Sequence, residues 1–476
     1  MPRRQVAAIL YPAMQPPPSL PPLTPPPSPR SERKSAWLCI PPCRVDPARV
    51  ATEPVMLWVD IVGTVLFAIA LIALWLYYQL GGFRRRRGTA RGDDGFYAHN
   101  LPPEGAVFWV RFQYDCTDQS EFKRLVARMQ ELFGAFCEKH LPIPEADAPF
   151  FTELTTGKTP SATYAAWPQL RSVRRVCIRS DVGARSWFMS FNHATCGGGD
   201  FLRAGGSIVE GEVHDLIEPP RSNVFGLLCC LEWFRWMAFS GNILRPLPPI
   251  ERLPGGPIEW PRLCFSFPVA SCTKPDGEKI KVSTRVRVAH RMLEAIAAGL
   301  DGVIVGRPLR VWFAVGFQKQ VGADGEPEVV NSVGVIMCVY TPGSTAAELE
   351  VQLRRNKLHA LGSYWLRNQF TGEVAGQQGA RGRAWVDIVL SMASVRSCKN
   401  LGKGGLRSVF ATPPFVQSYP IYCTSLTLDS AGGGETVVYG GVTASVKGFD
   451  PSAFGGALQA PTEPVVFPWQ DAAWQQ

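Results

Sequence analysis

An α/β architecture with mixed sheets, carried behind one transmembrane helix, is what this 476-residue sequence predicts. Three observations predict it. Strand-like and helix-like patterns alternate from about residue 100 onward with no fixed period, which favours mixed sheets over a repeat array or a helical bundle. The run IVGTVLFAIALIALWLYY, residues 61–78, carries no charge. The first 54 residues are dominated by proline, as in QPPPSLPPLTPPPSPR.

A proline-rich stretch cannot bury a core, so residues 1–54 are read as a solvated, polyproline II-like tail. It lacks the apolar h-region of a signal peptide. Eighteen residues rising about 1.5 Å each nearly match the roughly 30 Å hydrocarbon core of a bilayer. Extension to Val55 and Leu80 gives ample length, and Trp75, Tyr77 and Tyr78 stand where an interfacial aromatic belt belongs. Residues 55–80 are therefore read as a single membrane span. FRRRRGTAR opens a basic juxtamembrane linker, residues 81–99, against only Arg44 and Arg49 on the other flank. The positive-inside bias puts the large C-terminal part on the cytosolic side, in a eukaryotic cell on the endoplasmic reticulum.

The composition excludes several classes. At 46% hydrophobic and 19% charged residues, the chain can pack a large core and is neither wholly disordered nor fibrous. Its 13 cysteines include no CxxC pair, so reduced thiols are expected rather than a disulfide scaffold or a zinc ribbon. The net charge of +9 forms no basic stripe with interleaved aromatics, and no nucleic-acid partner is expected.

Along the globular part, GAVFWVRFQYD reads as a strand and EFKRLVARMQELFGAF as an amphipathic helix. RRVCIR and SWFMSFNHA read as strands, and VFGLLCCLEWFRWMAF (224–239) as an apolar helix. That helix either lies against lipid or packs internally; on lipid, Cys229 and Cys230 become candidate acylation sites. The proline-rich RPLPPIERLPGGPIEWP lacks periodicity and marks a linker, residues 246–262, between subdomains at 100–245 and 263–455. RLCFSFPV, RPLRVWFAVGFQ and NSVGVIMCVY read as strands, with TRVRVAHRMLEAIAAGL and AAELEVQLRRNKLHAL as helices. RAWVDIVLSMASV reads as helical, while LRSVFAT, YPIYCTSLTL and ETVVYGGVTASV read as strands before a tail at 456–476.

Six histidines occur, and five of them (His99, His140, His214, His290 and His359) read as structural or solvated. His193 differs. In RSWFMSFNHATCGGGDF it shares one strand face with Trp187, Met189 and Phe191 by the period of two, and then meets Gly197, Gly198 and Gly199. A backbone able to turn sharply thus follows the side chain best suited to move a proton near neutral pH.

SFNHATCGGGDF resembles the HHxxxDG motif of the CoA-dependent acyltransferase superfamily, which includes chloramphenicol acetyltransferase and the condensation domains. The nearest likeness within it is to the wax ester synthase/diacylglycerol acyltransferase family. Over roughly residues 100–455 the order of LPGGPIEWPRLCFSFPV, TRVRVAHRMLEAIAAGL, NSVGVIMCVYTPGSTAAELEVQLRRNKLHAL and FATPPFVQSYPIYCTSL is similar too. The resemblance implies two chloramphenicol acetyltransferase-like subdomains with a central channel. It implies O-acyl transfer from acyl-CoA, a cosubstrate rather than a bound cofactor, to a long-chain alcohol or diacylglycerol, with no metal. His193 is then the general base, and Asn331 and Thr412 are the candidate oxyanion donors. Asn192, Gly197 and Asp200 support the active-site loop. The chain departs from the pattern: Asn192 replaces the first histidine, Gly197 the aspartate, and Thr284-Arg285 an Asn-Asp pair. An inactive scaffold or lipid-binding protein on the same fold is the alternative. A lumenal glycosyltransferase is set aside because no DxD metal motif occurs.

Overall fold

The computed structural model describes residues 61–76 (except 64, 67 and 74), 107–114, 118–140, 176–181, 185–192, 218–239 (except 221), 250–251, 253, 260–272, 281–304, 307–318, 325, 332–369, 386–395, 406–412, 420–429 and 435–465. All of them fall in the compact unit Leu57–Gln476. In chain order the elements are β1 (Val107–Tyr114), α1 (Gln119–His140), β2 (Val176–Asp181), β3 (Ser186–Asn192), α2 (Asn223–Phe239), β4 (Arg262–Pro268), α3 (Thr284–Gly299), α4 (Asp301–Ile304), β5 (Leu309–Gly316), β6 (Val333–Tyr340), α5 (Ala346–Arg355), α6 (Lys357–Gln369), β7 (Ile388–Val395), β8 (Leu406–Thr412), β9 (Ile421–Asp429), β10 (Thr436–Ala444), α7 (Pro451–Leu458) and β11 (Thr462–Pro464).

The strands form two sheets, one of four in the order β2-β3-β1-β8 and one of seven in the order β11-β4-β10-β9-β7-β5-β6. The larger is mixed: β5, β7 and β9 run parallel and their outer neighbours antiparallel. The smaller is antiparallel, and β8 joins it from late in the chain, pairing with β1.

The main core lies between the large sheet and α3. Val286, Ala289, Leu293, Ile296 and Leu300 recur at helical spacing along α3 and are buried against Val311, Phe313 and Leu390. Ser283 starts the helix by accepting a hydrogen bond from the Val286 amide. A reciprocal Thr345/Glu348 capping box starts α5 in the same way.

One element departs from expectation. RAWVDIVLSMASV reads as helical, yet Ile388–Val395 is strand β7. The reason is its position between two parallel neighbours, β5 and β9. A strand covered on both faces is a continuous apolar run without alternation, and Val386 to Leu390 are all buried. Periodicity alone does not separate such a run from a buried helix.

Residues 61–76 are helical where described. Among the described residues no helix is long and apolar enough to cross a membrane, and both ends of the expected 55–80 span lie outside them. One stripe of this helix, Leu71 and Trp75, packs on Leu227, Cys230 and Leu231 of α2 and on Trp365 and Leu366 of α6. The remaining faces are open: Ile61, Val62, Val65, Leu66, Ile69, Ile72 and Leu76 are 40–61% exposed.

Helices α2 and α6 approach until backbone meets backbone. A Cβ at Gly362 would stand 2.4 Å from the Cys229 carbonyl oxygen, and one at Gly226 would stand 2.2 Å from the Trp365 ring. Gly362→Ala is expected to destabilise the protein by about 1–3 kcal/mol despite alanine's better helix propensity, because carbonyls of a packed helix cannot yield. Urea unfolding checks this.

The same interface buries His359, which is 2% exposed and lies 5.3 Å from the Trp236 ring. Burial lowers its pKa to about 4, and its Nδ1 has no hydrogen-bond partner. The folded state therefore holds the neutral ring, whereas the unfolded chain takes up the proton below about pH 6.5. Stability from this site is present above pH 6.5 and is lost as the pH falls towards about 4, by up to roughly 3 kcal/mol. His359→Leu is expected to flatten the fall in unfolding free energy between pH 7 and pH 4.5.

Candidate active site

The four-stranded sheet brings two of the sequence-predicted positions to one edge. Strand β1 pairs with β3 on one side, Val107 opposite Asn192, and with β8 on the other, Trp109 opposite Thr412. Asn192 ends β3 and Thr412 ends β8, so both strands terminate at the same end of β1. Two strand spacings separate them, about 10 Å across the sheet. His193 is the next residue after Asn192 and lies outside the described residues, as do Gly197, Asp200 and Asn331 and the channel expected beside the imidazole.

Asn331 adjoins Ser332 at the entry to β6, in the other sheet. The Ser332 carbonyl accepts a 2.7 Å hydrogen bond from the Phe317 amide, which ties the start of β6 to the end of β5.

Near that end a cavity of about 820 Å³ opens among α2, α3, α5, α6 and strands β5, β6 and β7. Phe313, Val315, Ile336 and Met392 form its sheet wall; Val286, Ala289, Leu353 and Leu361 form the helical wall, and Phe225 of α2 stands at its margin. The polar lining is Arg285, Arg354, Lys357 and Glu218, three cations to one carboxylate. Its volume and apolar walls are those of a small-molecule site, and carboxyl ends of parallel strands are a usual place for one.

The rim is held in position. Arg285 Nη2 donates to the Met392 carbonyl at 3.1 Å. Arg354 Nε donates to Glu350 at 2.7 Å and its Nη2 to the Lys281 carbonyl at 3.0 Å. Burial pushes the Glu350 carboxyl up, but hydrogen bonds from the Ser283 amide and hydroxyl and from Arg354 outweigh it and hold the group below its ordinary value. Arg285 was visible in the sequence only as a departure from the family pattern. The rest of this lining comes from seven elements, each contributing side chains that read as ordinary core or surface.

Burial raises the pKa of Cys229, Cys230, Cys264 and Cys272 and so disfavours their thiolates. Cys229 and Cys230 are 2% and 0% exposed, which removes them as acylation sites. Burial pushes Cys230 up to about 12 and raises Cys338 and Cys423 as well. His290 sits on α3 with its Nε2 2.5 Å from the Ser344 carbonyl and its Nδ1 3.3 Å from Glu294.

No family model and no curated protein matches the chain. Several solved structures are similar in fold at low identity. The EpoB NRPS cyclization-docking bidomain from Sorangium cellulosum shares 15% identity over 78% of this chain and 82% of that one, with a TM-score of 0.45. The starter condensation domain of rhizomide synthetase RzmA, in complex with C8-CoA and Leu-SNAC, shares 12% over 82% and 90%, with a TM-score of 0.41. The wax ester synthase/diacylglycerol acyltransferase from Marinobacter aquaeolei VT8 shares 11% over 77% and 97%, also at 0.41. Likenesses this loose carry no residue roles across to this chain.

Proposed function

We propose that the protein is a membrane-tethered O-acyltransferase that moves a fatty acyl group from acyl-CoA to a lipid hydroxyl, a long-chain alcohol or diacylglycerol. The observation that carries this reading is the meeting of β3 and β8 at one end of β1, which sets the backbone leading into His193 beside Thr412. Asn192, the residue before His193, and Thr412 lie 220 residues apart in the chain, and both pair with β1, one on each side of it.

In the proposed reaction the acceptor oxygen attacks the thioester carbonyl while His193 takes its proton. A donor at Thr412 or Asn331 stabilises the tetrahedral oxyanion. Collapse breaks the carbon–sulfur bond, and the CoA thiolate leaves with the proton returned by the imidazolium. No covalent enzyme intermediate is needed. The open aliphatic faces of the 61–76 helix, followed by Arg84 to Arg87, support a bilayer tether with the arginines at anionic headgroups.

The test is direct. Purified full-length protein in phosphatidylcholine nanodiscs, given radiolabelled oleoyl-CoA with hexadecanol, diolein or cholesterol, is expected to form the labelled ester of at least one acceptor. Absence of ester with all three overturns the reading and favours a lipid-binding protein on the same fold, the role to which Gly197 in place of an aspartate also points.

A further inference from the structure

Strand β8 belongs to the small sheet by its pairing with β1, yet its end is seated on the large sheet. In β10, Gly440 and Gly441 point to opposite faces by the period of two. Gly440 faces the helix-covered side, where Phe265, its neighbour on β4, lies in the main core. Gly441 faces the other side, directly opposite Thr424 of β9. Phe410 of β8 comes down on Gly441. A Cβ there would run into Cδ2 and Cε2 of the Phe410 ring, which is buried at 1% exposure. Beside it the Thr424 hydroxyl, also buried, donates to the Ala411 carbonyl at 3.2 Å.

The next residue is Thr412, where β8 ends. One cross-strand pair of the large sheet thus grips β8 at two consecutive residues, Phe410 by its ring and Ala411 by its carbonyl. The opposite end of the strand is held differently. Arg407 pairs with Glu463 at 2.8 Å, but their side chains are 53% and 40% exposed, and such a pair contributes little.

Pairing with β1, with Trp109 opposite Thr412, fixes β8 within its own sheet but not its height over the other one. An oxyanion donor works only where it meets the developing charge, and a displacement of about 1 Å can cost about 10²-fold in rate. We propose that Gly441 and Thr424 are positioning residues for acyl transfer: they set the height of the β8 end over the large sheet and so place Thr412 against the reacting carbonyl. The inference rests on the reading of Thr412 as an oxyanion donor.

The experiment measures steady-state kcat and KM for oleoyl-CoA with the full chain in phosphatidylcholine nanodiscs, using the acceptor that the parent esterifies among hexadecanol, diolein and cholesterol, together with thermal unfolding of each variant. Thr424→Val keeps the shape and removes the hydroxyl; it is expected to lower kcat about tenfold with KM within about twofold of the parent. Thr424→Ser keeps the donor and is expected to retain the parent kcat. Gly441→Ala is expected to lower kcat at least as far as Thr424→Val, and Gly441→Ala/Phe410→Leu, which withdraws the ring, to recover it severalfold. Arg407→Gln, at the other end of the same strand, is expected to leave kcat unchanged.

A parent kcat in Thr424→Val overturns the inference, as does an equal loss in Thr424→Ser, a rise in KM in place of the fall in kcat, or a loss in Arg407→Gln as large as that in Thr424→Val. Should Gly441→Ala fail to fold, the two threonine variants decide alone. Absence of ester from the parent with all three acceptors overturns the acyltransferase reading and this inference with it. Ester from the parent, made at an undiminished rate by Thr424→Val, overturns this inference alone.

Discussion

His193→Ala is expected to lower ester synthesis by about 10²–10⁴-fold, the usual contribution of a positioned general base. The acceptor hydroxyl is a poor nucleophile until its proton is withdrawn. His359 is sealed between α2 and α6, and His290 is engaged by Ser344 and Glu294 on α3. His193→Gln, which keeps hydrogen-bonding capacity but cannot accept a proton at neutral pH, should fall as far as alanine does. Steady-state rates with oleoyl-CoA, together with circular dichroism to confirm the fold, check this. Retention of more than a tenth of the parent rate would remove His193 from the mechanism.

Asp387→Ala is expected to cost about 3–5 kcal/mol of folding free energy. Its carboxylate is 2% exposed and accepts hydrogen bonds from Arg307 Nη2, from Arg310 Nε at 3.3 Å and from the Arg310 amide at 2.8 Å. Both guanidiniums are themselves 11% exposed or less. Alanine would take from two poorly solvated cations the carboxylate they share, and water entry only partly relieves that cost. The backbone adds to the effect, because the Asp387 amide donates to the Arg310 carbonyl and the Asp387 carbonyl accepts from the Ile421 amide. One residue thus fastens the starts of β5, β7 and β9. Urea unfolding should show a midpoint shifted down with the slope unchanged; a loss below about 1 kcal/mol would mean that solvent already compensates the arginines.

Most of the fold was legible in the sequence because most of its elements bury one face. The α3 stripe from Val286 to Leu300 is written at helical spacing, and β1 and β3 carry the apolar and aromatic bias of strands. Strand β7 was not legible because burial on both faces erases alternation. The pairing of β8 with β1 was not legible either, since nothing in LRSVFAT records which edge it will join. At the site, His193 and Thr412 could be named from a motif resemblance. The cavity could not, because its lining gathers one or two residues each from α2, α5, α6 and β7. The use of Gly362 and Gly226 appears only where two helices touch.

The late arrival of β8 bears on how the protein is made. On a ribosome, β1 emerges early but waits for roughly 300 further residues before its second neighbour exists. Closing so long a loop is entropically costly and slow, so the small sheet should be the last part to acquire protection from hydrogen exchange. During that wait an aromatic-rich edge is open to mispairing on the nascent chain. Separate expression of the two halves should for the same reason yield an N-terminal fragment that aggregates unless the C-terminal fragment is supplied with it.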